Sequence, residues 1–134
     1  MRKYNQKILP IVILTLLLVI MTITTVFAQA EPVIRVGLWT NQANVIVTCE
    51  TDYHIVDSDT KAVLGNFKTN EKASISEKNH VLKINGHTVS SNNMEIVSMN
   101  RSCIEVNRRN YKGTIHIHPT VGKSGVTVVN TLPL

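Results

Sequence analysis

The sequence predicts a mainly β protein: an N-terminal hydrophobic signal or anchor helix followed by a small antiparallel β domain of short strands. Three observations predict it. From Glu31 onward the chain holds 33 Val, Ile and Thr against 8 Leu and Ala, a preference that suits a pleated, half-buried surface better than packed helices. Apolar and polar residues alternate there in short runs separated by polar turns. The first thirty residues differ in kind, because Arg2, Lys3 and Lys7 precede an uncharged stretch from Ile8 to Ala30. The chain therefore divides into a leader, residues 1–30, and one domain, residues 31–134.

In the leader, the positive end, the apolar run and Ala28-Gln29-Ala30 supply the three parts of a secretory signal, with small residues where a signal peptidase needs them. Cleavage is expected after Ala30. The apolar run from Ile8 to Phe27 has 20 residues, Pro10 among them, which is also about the length that crosses a bilayer as a helix. An uncleaved membrane anchor therefore stays open. In either case the positive end remains cytoplasmic and the rest faces outward, so the domain is expected to be extracytoplasmic, secreted or held at the outer face of the cytoplasmic membrane. Cytosolic cofactors such as ATP and NAD are poor candidates there, and no cofactor is expected.

The leader also distorts the charge. The whole chain carries +5, but from Glu31 onward 11 bases face 9 acids. Those bases are scattered and lack an accompanying aromatic stripe, so no nucleic-acid partner is expected.

Taken in order, the alternating runs are Val33 to Leu38, Asn44 to Cys49, His54 to Val56, Val63 to Phe67, Val81 to Ile84, Glu95 to Ser98, Cys103 to Val106, Thr114 to His118 and Gly125 to Val129. Asn85-Gly86 joins Leu82-Lys83-Ile84 to His87-Thr88-Val89, and Asn-Gly is the pair that best tolerates the two positive φ angles of a type I′ hairpin turn. Asp57-Ser58-Asp59-Thr60 and Asn107-Arg108-Arg109-Asn110 read as further turns. Asn70 to Lys78 reads as strand or loop rather than helix. Nine short strands in about a hundred residues point to a small sandwich or barrel-like assembly.

Few residues offer chemistry. His116 and His118 flank Ile117 and share one face of a strand, but no third ligand stands at a fixed spacing from them, so no metal site is assigned. Asp52, Asp57, Asp59, Glu95 and Glu105 are the acids available for a carboxylate pair, and none stands out as catalytic. Cys49 and Cys103 lie in a compartment where a disulfide can form, and two separate thiols are the equal alternative. Arg108, Arg109, Tyr111 and Lys112 form the one concentrated basic and aromatic group. At a hairpin tip such a group can meet an anionic wall polymer, or simply keep a sheet edge solvated.

Three segments then acquire a joint meaning: Ile34-Arg35-Val36-Gly37-Leu38 just after the leader, Tyr111-Lys112-Gly113-Thr114-Ile115, and Val128-Val129-Asn130-Thr131-Leu132-Pro133-Leu134. Their order resembles the N-terminal region of the stage II sporulation protein D and LytB amidase-enhancer family (SpoIID/LytB), over about residues 33 to 134 and most specifically over Val106 to Leu134. In that family the last segment runs into a stretch bearing the candidate catalytic glutamate. No position here matches that motif, so no catalytic residue is carried over, and the chain is expected to be a truncated member. The resemblance implies an exported, wall-associated protein of peptidoglycan remodelling, with glycan strands or a cell-wall amidase as partner, that binds or positions rather than catalyses. Two other readings stay open: a fragment of a peptidoglycan lytic transglycosylase, and an exported β-rich interaction module unrelated to peptidoglycan.

Overall fold

The computed structural model describes the backbone of residues 2–23 and 30–134 and forms two compact units, Met1–Ala30 and Glu31–Leu134. In the first, α1 (Arg2–Ile23) is a 22-residue helix with Pro10 inside it. Its described side chains, Ile8 to Ile20, are exposed all round. Among the described residues no helix is long and apolar enough to cross a membrane. The anchor expected over Ile8 to Phe27 lies partly outside the described residues. Its far end, with Ala28 and Gln29 of the expected cleavage motif, lies outside the described residues.

The second unit is built from twelve strands: β1 (Val33–Gln42), β2 (Asn44–Cys49), β3 (Tyr53–Asp57), β4 (Val63–Phe67), β5 (Ala73–Lys78), β6 (Val81–Ile84), β7 (His87–Thr88), β8 (Met94–Ser98), β9 (Ile104–Val106), β10 (Arg109–Tyr111), β11 (Thr114–Pro119) and β12 (Val126–Pro133). They form two six-stranded sheets, in the orders β1-β12-β11-β8-β3-β4 and β10-β9-β2-β5-β6-β7. Every pairing is antiparallel. One core joins both sheets, drawing Ile55, Met94, Ile96, Ile115, Ile117, Val126 and Val128 from the first and Val45, Val47, Ile75, Leu82, Ile104 and Val106 from the second. The expected small sandwich is what forms.

Period-two alternation sends one side of each strand into this core. In β11, Ile115 and Ile117 are buried while Thr114, His116 and His118 are half-buried on the opposite face. Tyr53 stacks on Phe67 with ring centroids 5.0 Å apart, and its hydroxyl donates to the Val47 carbonyl of the other sheet at 3.2 Å.

Two hairpin turns share one device. Asn85 and Gly86 have φ of 50° and 80°, and Asn107 and Arg108 have 46° and 68°, the positive pair a type I′ turn requires. Each asparagine also grips the next strand. Asn85 donates its N–H to the Ser74 carbonyl and its Oδ1 accepts from the Ser74 N–H, both at 2.8 Å. Asn107 does the same to Ile46, at 2.9 and 3.0 Å.

Several boundaries differ from the sequence expectation. β1 continues past Leu38 to Gln42 by way of two register shifts, around Trp39, since bulges let an irregular run stay paired. β12 continues past Val129 to Pro133 because β1 and β11 hold it from both sides. The ambiguous Asn70 to Lys78 segment contains β5. Arg109 and Asn110, expected in a turn, are paired in β10, and only Asn107-Arg108 makes the corner.

Candidate functional site

A cleft of about 790 Å³ opens where the ends of β8, β11 and β12 meet, with Val97, Ser98, Arg101, Ser102, Cys103, Lys112, Thr114, Thr131 and Leu132 along its walls and Glu31 and Val33 at its rim. Local chain geometry puts these groups there. The 3-10 turn Met99–Arg101 follows β8, with Asn100 and Arg101 both left-handed, at φ 57° and 54°. Gly113, at φ +87°, brings the start of β11 so close to β12 that a Cβ there would overlap the Thr131 carbonyl oxygen. Only glycine meets both demands.

Beneath the turn lies a network of hydroxyls. Thr51 Oγ1 and Ser102 Oγ are 2.6 Å apart, Thr51 Oγ1 donates to the Met99 carbonyl at 3.0 Å, and Ser98 Oγ donates to the Ser102 carbonyl at 2.7 Å. This network anchors Arg101 and Ser102 to the sandwich. Thr131, which lines the cleft, has an Oγ1 that is buried with no hydrogen-bond partner among the described residues. Neither Arg101 nor Lys112 has a carboxylate partner among the described residues. Among the described residues the one ion pair is Lys61 with Glu95, at 2.7 Å.

The expected basic and aromatic group is divided. Lys112 lines the cleft, whereas Arg108 and Arg109 are exposed at the β9–β10 corner. Tyr111 is half-buried, its ring edge-to-face with Trp39 at 6.0 Å, and both pack on the core. Proximity in sequence misled here because β10 is a strand, so successive side chains diverge. Arg101 and Thr131 went unnoticed for the converse reason: they are far apart in sequence and only the sheet order brings them to one cleft.

Cys49 and Cys103 stand as neighbouring free thiols. Cys49 is buried, and its Sγ donates to the Cys103 backbone carbonyl at 3.1 Å, while Cys103 is half-buried and lines the cleft. The acids serve the backbone. Asp52 accepts from the N–H and hydroxyl of Thr69, at 2.8 and 3.0 Å, which lowers its pKa. Asp57 is pulled down to about 2 by the Ser91 hydroxyl first and the Thr60 N–H second. His116 is lowered by burial against the opposing pull of Glu95, its cross-strand neighbour, and its Nδ1 is buried without a partner.

Fold and cleft together define an all-antiparallel β-sandwich with an open cleft lined by hydroxyls and two cations at one end of its sheets. No family model, curated protein or solved structure matches the chain.

Proposed function

We propose that this chain is an exported, wall-associated β domain of the kind found in the stage II sporulation protein D and LytB amidase-enhancer family, and that it holds peptidoglycan glycan strands rather than cutting them. The cleft is the observation that carries the reading. Arg101 and Lys112, which have no ion-pair partner among the described residues, line it together with Ser98, Ser102, Thr114 and Thr131, with Glu31 at the rim. Such a lining suits a polymer that presents both hydroxyls and carboxylates. Export is supported by the leader, with its three early cations and its apolar run.

The test is cosedimentation of the full-length protein, in neutral detergent, with purified glycan strands. Arg101→Ala with Lys112→Ala is expected to weaken retention about tenfold or more, the scale of losing charge-assisted hydrogen bonds. Arg108→Ala with Arg109→Ala is expected to leave retention unchanged, because that corner lies outside the cleft. Equal loss in both pairs, or no retention of the wild type, overturns the proposal. A second reading, an interaction module without glycan specificity, draws on the exposed Val33, Ile34 and Val36 of β1, and it predicts no glycan retention at all.

A further inference from the structure

The four sheet edges are not alike. β4 has 5 residues and a register shift, β7 has 2 and β10 has 3, Arg109 among them. β1 has 10. Its stretch Val33 to Gly37 pairs without a shift with β12 on one side and with no strand on the other among the described residues. That stretch holds neither Lys nor Pro, the usual guards of an open edge, and all of its residues are exposed. Past Gly37 the register shifts, and Trp39 packs on Tyr111 of β10.

The ladder to β12 decides which backbone groups are free. The Leu134 N–H donates to the Pro32 carbonyl at 3.0 Å, so Pro32 faces β12, and so do Ile34 and Val36, because alternate residues of a paired strand turn their backbone groups to opposite sides. Gly113 of the neighbouring chain agrees: it lies against the Thr131 carbonyl oxygen, so Thr131 turns to β11 and leaves Asn130 and Leu132 to face Val36 and Ile34. Val33, Arg35 and Gly37 therefore turn their N–H and C=O groups into the open edge. Pro32, which has no N–H to give, falls in the inward row and does not interrupt the outward one. Two charges mark the same edge. Glu31 and Arg35 are both exposed, and neither has an ion-pair partner among the described residues. Extended chain holds them roughly 13 Å apart, too far to pair with each other.

We propose that β1 joins β1 of a second copy of this chain, antiparallel about a twofold axis through Val33, so that the sheet ending in β1 continues into its counterpart. In this register Val33 faces Val33 of the partner subunit, and Glu31 faces Arg35 of the partner subunit at both ends of the contact. Glu31 continues the outward row one step before β1, so the facing residues exchange backbone hydrogen bonds at each of these positions. Pro32 faces Ile34 at the position between, where no N–H is required. An axis through Arg35 would oppose two guanidinium groups, and one through Ile34 or Val36 would leave both charges without a facing partner. The same row of donors and acceptors suits a strand of another protein; the match of Glu31 to Arg35 is what selects a second copy. The contact spans residues 31–35 only, far less than the ~800 Å² per partner of a stable interface, so association is weak and depends on concentration. The proposal does not rest on the glycan-binding reading.

Sedimentation equilibrium of the full-length protein in density-matched neutral detergent, at concentrations up to about 1 mM, tests this. The wild type is expected to dimerise reversibly. Arg35→Glu and Glu31→Arg each set like charges opposite one another at both ends, and each should weaken the dimer about tenfold or more. Glu31→Arg combined with Arg35→Glu should restore it. So should an equal mixture of the two single variants, in which every facing pair is again opposite in charge. Both positions are exposed, so each variant should keep the wild-type circular dichroism. A wild type that stays monomeric overturns the proposal and leaves the edge to another protein's strand. Equal association in wild type and single variants, as contact through α1 would give, overturns it too, and so does failure of both the double swap and the mixture to restore the dimer.

Discussion

Replacing Asn107 by Gly and by Ala separates the two things this residue does. Its side chain accepts a 3.0 Å hydrogen bond from the Ile46 N–H of β2, and its backbone holds φ at 46°. Gly keeps the backbone angle and loses only the Oδ1 bond. That bond is exposed, so water replaces it, and the loss is about 1 kcal/mol; the freedom Gly adds to the unfolded chain contributes up to ~1 kcal/mol more. Ala loses the same bond and must also enter the left-handed region, at roughly 1–2 kcal/mol, for a total of about 2–3 kcal/mol. Urea unfolding followed through Trp39, the single tryptophan, measures both. Trp39 is well placed for it, since it packs on Tyr111 at the end of the same hairpin. With a slope near ~1.5 kcal/mol/M, the midpoint should fall by roughly 1 M for Gly and 2 M for Ala. An Ala midpoint at or above that of Gly refutes the strain argument, and a Gly midpoint equal to wild type refutes the side-chain bond.

Gly113→Ala combines a positive φ with overlap on the Thr131 carbonyl. It should cost about 3 kcal/mol or more, lowering the urea midpoint by more than Ala at the open Gly86, which has nothing near its Cβ position. Asp57 contributes a pH-dependent stability whose sign follows from its depressed pKa. The contribution is fully present above the ordinary carboxylate range and is lost as pH falls through about 2, so an Asp57→Asn variant should show a shallower fall in urea midpoint between pH 5 and pH 2 than the wild type. A maleimide label under native conditions should react with Cys103, which lines the cleft, and spare buried Cys49 until unfolding; mass spectrometry of the two peptides reads the ratio.

Local signals were legible and shared ones were not. The Asn85-Gly86 corner is visible in sequence because its requirement, two positive φ angles, is met by two adjacent residues. The alternation of β11 is visible because Ile115 and Ile117 face a core while Thr114, His116 and His118 do not. β12 hid its true length because Asn130 and Thr131 resemble turn residues, and only the ladders to β1 on one side and β11 on the other keep them extended. The same holds for the site. Lys112 could be picked out as a cation near a hairpin, but Arg101 is one more loop cation until β8 and β11 pair and bring the two to one cleft.

β12 also explains why the cleft stands where it does. Its inner face gives Val126 and Val128 to the core, then Asn130, which is 5% exposed and has an Oδ1 with no partner. Past Asn130 the strand carries no further core residue, and Thr131 and Leu132 line the cleft instead. A sandwich that filled this end with apolar side chains would bury two fewer unsatisfied polar groups and hold its last strand more firmly. Here the end is pinned by backbone pairing, from Val33 opposite Pro133 to the Leu134 N–H on the Pro32 carbonyl at 3.0 Å. The buried, unpartnered Oδ1 of Asn130 and Oγ1 of Thr131 therefore mark the point at which β12 stops serving the apolar core.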